Sequence, residues 1–202
     1  MKLTGDTFTS LLLLSLPFIC SGCAVAIPAG VIGTGILIAE ERSIGRVIDD
    51  HVIVAKIKSA FLAQDAKHLL TNVSVNSVEG RVLLTGPVID EERAEQAARI
   101  AWTVPGVAKV MNELIISDEQ GGDHVSDAWI NSQIRGKFML EKQLYSANYT
   151  IEVDHEVVFL LGVANSEQEL EKALDLASSV TGVKRVVNYV VLKNDPRRIP
   201  KQ

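Results

Sequence analysis

Four histidines, His51, His68, His124 and His155, are the side chains best suited to proton transfer or metal ligation. They do not converge. None stands at ligand spacing from another histidine, a cysteine or a carboxylate. Asp49-Asp50-His51 would suit an acid–base or metal cluster, but the run falls where a helix is expected to begin. Aspartate is favoured there by capping and by the helix dipole, so Asp50 and Asp127 read as helix caps. Glu91-Glu92 and Glu167–Glu169 have the same explanation, and no phosphate loop, nucleophile elbow or zinc signature occurs. The expectation is a protein without catalysis, metal or cofactor. A net charge of −5, with Arg197-Arg198 and Lys201 as the only basic run, also argues against a general nucleic-acid binder.

The two cysteines carry chemistry of another kind. Lys2 and the apolar stretch Leu11–Ile19 lead into Cys20-Ser21-Gly22-Cys23. That stretch is too short to cross a bilayer core, which takes roughly 20 helical residues. Small residues before a cysteine, directly after an apolar run, resemble the lipobox of bacterial lipoproteins, although Cys20 and Pro17 depart from the usual pattern. The resemblance implies that residues 1–22 are removed and that Cys23 is acylated, leaving no thiol in an oxidising compartment. Ala24, where an aspartate would imply inner-membrane retention, implies the outer membrane. The alternatives are an ordinary signal or anchor helix, or a Cys20–Cys23 redox pair, which would have no fold around it. Residues 23–48, rich in glycine and apolar side chains, read as a tether lying close to the lipid rather than a second span.

An internal repeat must position everything else. A shift of 76 residues superposes Val82, Leu84, Gly86, Ala97, Ala101, Val104, Gly106 and Asn112 on identical residues, from Val158 to Asn188. A shift of 77 pairs Asp50, Ile53, Ile57 and Phe61 with Asp127, Ile130, Ile134 and Phe138. The units run over 49–117 and 126–193, joined by the polar linker 118–125 and followed by a basic tail, 194–202. Each opens with a helix whose apolar residues recur at i, i+4, i+8. A hairpin turning near Glu79-Gly80 or Asp154-His155 follows and ends in Gly86 or Gly162. A second helix buries Ala97/Ala101/Val104 or Ala173/Ala177/Val180; Ser166 and Glu169 form a capping box in the second copy. Gly106 and Gly182 end these helices, and a last strand follows. The fold class is α+β: two tandem αββαβ domains, each a three-stranded mixed sheet packed against two helices, and each with its own core.

This order, the hairpin exit at glycine and the Gly-Val after the second helix resemble the BON domain (bacterial OsmY and nodulation). The arrangement is similar to the dual-BON outer-membrane lipoproteins that support envelope integrity and division in diderm bacteria. The resemblance implies a lipid-anchored protein facing the periplasm, with anionic phospholipid bound by the first helix of the second domain. Trp129 matches residue for residue. It points away from the Ile130/Ile134/Phe138 stripe, shares a side with Gln133, Gly136 and Leu140, and has Val52 in its place in the first copy. An indole beside leucine suits a membrane interface. Ser126 and Asp127 would offer a helix N-terminus to phosphate, with Arg135 and Lys137 near in sequence, although Asp127 itself repels anions. The alternatives are that Trp129 packs against the first domain or the linker, or serves a periplasmic adaptor that docks on an envelope protein.

Overall fold

The computed structural model describes residues 44–64, 67–117, 124–196 and 198, all within one compact body, Thr34–Gln202. Cys23, the tether before Ile44, linker residues 118–123, Arg197 and residues 199–202 lie outside the described residues.

Two α+β modules follow each other. In the first, α1 (Ile44–Ala63) and a short α2 (Lys67–Asn72) precede the hairpin β1 (Ser74–Val78) and β2 (Arg81–Val88). Helix α3 (Glu91–Thr103) then crosses over to β3 (Lys109–Ile116). The second repeats the order: α4 (His124–Leu140), β4 (Tyr149–Asp154), β5 (Val157–Ala164), α5 (Glu167–Ser178) and β6 (Arg185–Leu192). A single 3-10 turn, Ser146–Asn148, stands where the first module has α2. In each sheet the middle strand pairs antiparallel with its hairpin partner and parallel with the last strand. The parallel pairing requires a crossover connection, which α3 and α5 provide.

The helical stripes pack as their spacing predicts. Ile53, Ile57 and Phe61 meet Val82, Leu84, Ala97 and Ala101 in one core; Ile130, Ile134 and Phe138 meet Val158, Leu160, Ala173 and Ala177 in the other. Asp90 caps α3 by accepting from Arg93 N at 2.7 Å, and Ser166 caps α5 by accepting from Glu169 N at 3.2 Å. The glycine at each hairpin exit has a steric reason. A Cβ on Gly86 would lie 2.0 Å from the Asn72 carbonyl oxygen, and one on Gly162 would lie 2.3 Å from that of Asn148. Gly106 and Gly182 stand past the helix ends, at Thr103 and Ser178, and make the turn that follows with φ of +97° and +91°.

Two expectations are corrected. Asp50 and Asp127 are not helix caps, because α1 and α4 begin earlier, at Ile44 and His124. Both carboxylates are buried and grip the hairpin turn across the module. Asp50 accepts from Ser77 Oγ at 2.7 Å, Glu79 N at 2.8 Å and Gly80 N at 2.9 Å. Asp127 accepts from His155 N at 2.9 Å and Glu156 N at 2.8 Å. Those donors sit at left-handed backbone, φ +51° for His155 and +64° for Glu156, which costs a non-glycine residue about 1–2 kcal/mol. The carboxylate offsets that strain.

The modules also do not have cores of their own alone. A third apolar cluster, Val78, Leu83, Met111, Phe159 and Leu161, joins the outer faces of the two sheets. Polar groups frame it. Arg81 donates to Tyr189 O at 2.7 Å and Gly162 O at 2.9 Å, and Gly86 N donates to Asp154 Oδ2 at 3.1 Å. Asn76 Nδ2 donates to Glu152 Oε2 at 3.1 Å, and Tyr189 Oη donates to Glu113. Arg198, expected as part of a basic tail, forks onto Glu79 at 2.7 and 3.0 Å, both side chains largely buried. Burial lowers the Arg81 pKa, with Glu79 and Asp50 pulling the other way, and burial with the Glu113 bond pushes Tyr189 up to about 12.

Candidate functional site

Helix α4 holds most of the residues singled out by sequence, and the fold sorts them. Its core stripe Ile130/Ile134/Phe138 is buried against the sheet, which fixes the opposite face outward. Trp129 is 48% exposed, and Met139 and Leu140 are 78% and 84% exposed at the other end. Trp129 and Leu140 stand 11 positions apart, about 16 Å along the axis, and their directions differ by only about 20°. Between them stand the exposed Gln133 and Gly136, the latter with open space around it. The result is an exposed strip with an indole at one end and two long apolar side chains at the other.

Arg135 and Lys137 are not brought together. They flank α4 on opposite sides, about 160° apart in helical projection. Arg135 is exposed, holds Asn131 Oδ1 through Nε at 2.7 Å, and borders the strip. It also lines a shallow groove of ≈ 440 Å³ with Asp127, Ala128, Asn131, Ser132, Glu152 and Val153. Lys137 turns toward α5 and reaches Ser179 Oγ at 2.7 Å. Ser126 is half-buried in the first turn, and the Asp127 carboxylate faces inward to the hairpin. Asp127 thus sets the position of α4 rather than presenting charge to a ligand.

The three histidines with described side chains stay apart. His51 and His68 are exposed on α1 and α2, His124 opens α4, and His155 sits in the β4–β5 turn with Nδ1 2.9 Å from Asp154 Oδ1. Glu169 has a structural role. Its buried carboxylate accepts from Tyr145 N, Asn165 N and Tyr149 Oη at 3.0 to 3.2 Å, and burial beside it raises the Tyr149 pKa. Among the described residues no group of three His, Cys, Asp or Glu is placed to hold a metal ion.

Sequence reasoning overlooked the outer sheet face, with Arg81, Asn76, Glu113, Glu152, Asp154 and Tyr189. A signal was present. Val82–Leu84 and Val157–Leu161 are uninterrupted apolar runs, and a strand apolar on both faces is covered on both. Trp102, 54% exposed on α3, was not singled out either.

Comparison with known proteins follows the same division of the chain. The BON domain model matches residues 49–118 and again 126–194. Over 153 residues the chain is 35% identical to an "uncharacterized protein in gshII 5′ region" of Anaplasma centrale, spanning 75% of this chain and 99% of that protein. It is 29% identical over 177 residues to the outer membrane lipoprotein DolP of Haemophilus influenzae, spanning 87% of this chain and 91% of the relative. With the osmotically-inducible protein Y of Escherichia coli it shares 31% identity over 155 residues, 75% of this chain and 77% of the other. Two family matches lying on two copies of one αββαβ module, and covering more than half the residues, make this chain a member of the BON-domain family.

Proposed function

We propose that this protein is a non-enzymatic, lipid-anchored envelope protein that faces the periplasm from the outer membrane, binds anionic phospholipid through α4 and supports outer-membrane integrity. One observation carries the reading. The exposed strip Trp129–Met139–Leu140 of the second module carries an indole and a leucine where the first module has Val52 and Ala63, with exposed Leu62 in the place of Met139. Arg135 at its border supplies the cation that an anionic headgroup requires. Ser126 and Lys137 lie at the edges of the surface, and Asp127 contributes by fixing the helix. The lipobox-like run ending at Cys23 and the relative named as an outer membrane lipoprotein support the anchor and the compartment.

The energetics fit an anchored protein. Burying a leucine or methionine side chain contributes about 1.5–3 kcal/mol. With half an indole added, the strip is worth on the order of 5 kcal/mol, a dissociation constant of roughly 0.2 mM. Alone that is weak. With acylated Cys23 holding the chain at the surface, the effective lipid concentration exceeds it and the contact becomes persistent.

The test is sedimentation of the soluble chain from Ala24 onward with phosphatidylglycerol vesicles and with phosphatidylcholine vesicles. Preference for the anionic vesicles is expected. Failure to bind either lipid would overturn the reading and leave α4 as a docking surface for an envelope protein. Intact-mass measurement of membrane-extracted protein tests the anchor: a diacylated or triacylated chain beginning at Cys23 is expected, and an unlipidated chain beginning at Met1 contradicts it.

A further inference from the structure

The first module carries a groove whose lining its repeat does not keep. It lies between the end of α1 and the outer face of α3, and its volume is ≈ 340 Å³. Ligand sites span about 300–1,000 Å³, so this one has room for a small molecule. Gln64, Glu92, Arg93, Gln96, Arg99 and Thr103 line it, and the only apolar lining residue is Ile100. Two hydrogen bonds fix the arginines: Arg93 Nη1 donates to Gln96 Oε1 and Arg99 Nη1 donates to Glu95 Oε2, both at 2.9 Å. Trp102 is 54% exposed and stands three residues beyond Arg99, so the two are neighbours on the surface of α3.

The fold requires none of this, because the second module has the same fold without it. Glu169, Lys172, Asp175 and Ser178 stand there in place of Arg93, Gln96, Arg99 and Trp102, and Glu141 in place of Gln64. Lys172 and Glu141 form an ion pair across the corresponding gap at 3.7 Å. Lys137 on α4 adds a second bridge to Ser179 Oγ at 2.7 Å, where the first module has Ala60 and Thr103. Side chains thus tie the two helices together in one module. In the other, two amides and an alanine take the place of the bridging charges.

We propose that the groove between α1 and α3 is a saccharide-binding site. Its lining both donates and accepts: guanidinium and amide N–H groups donate, while the Glu92 carboxylate, the amide oxygens and the Thr103 hydroxyl accept. Sugar hydroxyls, which do both, match that mixture. A sugar ring also carries C–H groups on one face, and Trp102 offers an apolar surface and an N–H donor at the border of the groove. Charge argues against an isolated anion, since Glu92 and Glu95 balance Arg93 and Arg99. The polar lining argues equally against an acyl chain. The site belongs to the first module and draws nothing from the α4 strip.

The experiment uses the full chain in polyoxyethylene-detergent micelles, carrying Trp129→Phe so that Trp102 is its only indole. Trp102 emission is followed during titration with N-acetylglucosamine tetramer, with maltotetraose and with inorganic phosphate. A saturable response to at least one saccharide and none to phosphate is expected. Gln96→Ala should weaken that response about five-fold, the loss of one hydrogen bond. Gln64→Glu with Gln96→Lys copies the ion pair of the second module and should abolish it, with circular dichroism unchanged. If the bridged chain does not fold, Gln96→Ala alone decides. No response to either saccharide would overturn the proposal, and a response to phosphate alone would make the groove an anion site instead. A saccharide response undiminished by these substitutions would put the sugar elsewhere and overturn it as well.

Discussion

Asp127 tests the account where it departs furthest from the sequence. Its buried carboxylate accepts two backbone N–H groups, from His155 at 2.9 Å and Glu156 at 2.8 Å, across the module from α4. A hydrogen bond to a charged group contributes about 1.5–3 kcal/mol, and an unmet buried donor costs a similar amount. Asp127→Ala should therefore destabilise the protein by about 3–5 kcal/mol. Asp127→Asn keeps one acceptor oxygen and turns an N–H toward the other donor, so about 2–3 kcal/mol is expected. Serine separates the two roles of this position. As a helix cap serine equals aspartate, but its single short hydroxyl cannot replace a carboxylate that bridges two turn amides. Asp127→Ser should thus fall near the alanine variant, measured by urea unfolding of the soluble chain with an unchanged m-value. A serine variant within about 0.5 kcal/mol of the parent would refute the turn clasp and restore the capping role.

Three further outcomes follow from the packing. Gly86→Ala places a Cβ 2.0 Å from the Asn72 oxygen and should cost about 3 kcal/mol or more, whereas Gly136→Ala, in open space on α4, should gain up to about 1 kcal/mol. Thermal scans of both distinguish them, and equal effects would contradict the packing. Arg198→Ala removes the fork onto Glu79 and should cost about 2–3 kcal/mol, with calorimetry showing the single transition of the joined modules broaden or divide. An unchanged scan would show that the tail holds nothing. Tyr189 has its pKa raised from 10 to about 12, so its contribution is complete below pH 10 and fades as the pH rises through that window. The stability difference between the parent and Tyr189→Phe should shrink from pH 10 to about 12, and a constant difference would contradict the seam contact with Glu113.

Most of the fold was legible because periodicity reports burial directly. The stripes Ile53/Ile57/Phe61 and Ala173/Ala177/Val180, and the glycine at each hairpin exit, meant in the structure what they meant in the sequence. What escaped depends on where a polar side chain points. An aspartate early in a helix satisfies the local capping rule equally well whether its carboxylate turns to its own amides or across the module to a turn. Only the true helix start, upstream at Ile44 or His124, separates the two. Arg198 looked like a solvated tail charge because its partner, Glu79, is 119 residues away. The outer sheet face was missed for a related reason: the apolar run Val157–Leu161 announced a covering, but not what covers it. At the candidate site the outward position of Trp129 was readable from helical angle alone. The separation of Arg135 from Lys137 was readable from the same angle and was obscured by their closeness in sequence.

The central claim is that α4 meets anionic lipid through an inserted indole. The direct measurement is binding to phosphatidylglycerol vesicles of the parent and of Trp129→Ala, both carrying Trp102→Phe so that Trp129 is the only indole of the parent. It is made near physiological ionic strength and again at 1 M salt, where the Debye length falls from about 8 Å to about 3 Å. The account predicts that the parent keeps a salt-resistant fraction of its binding, that Trp129→Ala loses that fraction, and that the melting temperature hardly moves, as expected for a side chain 48% exposed. Equal binding by both proteins at high salt would contradict it.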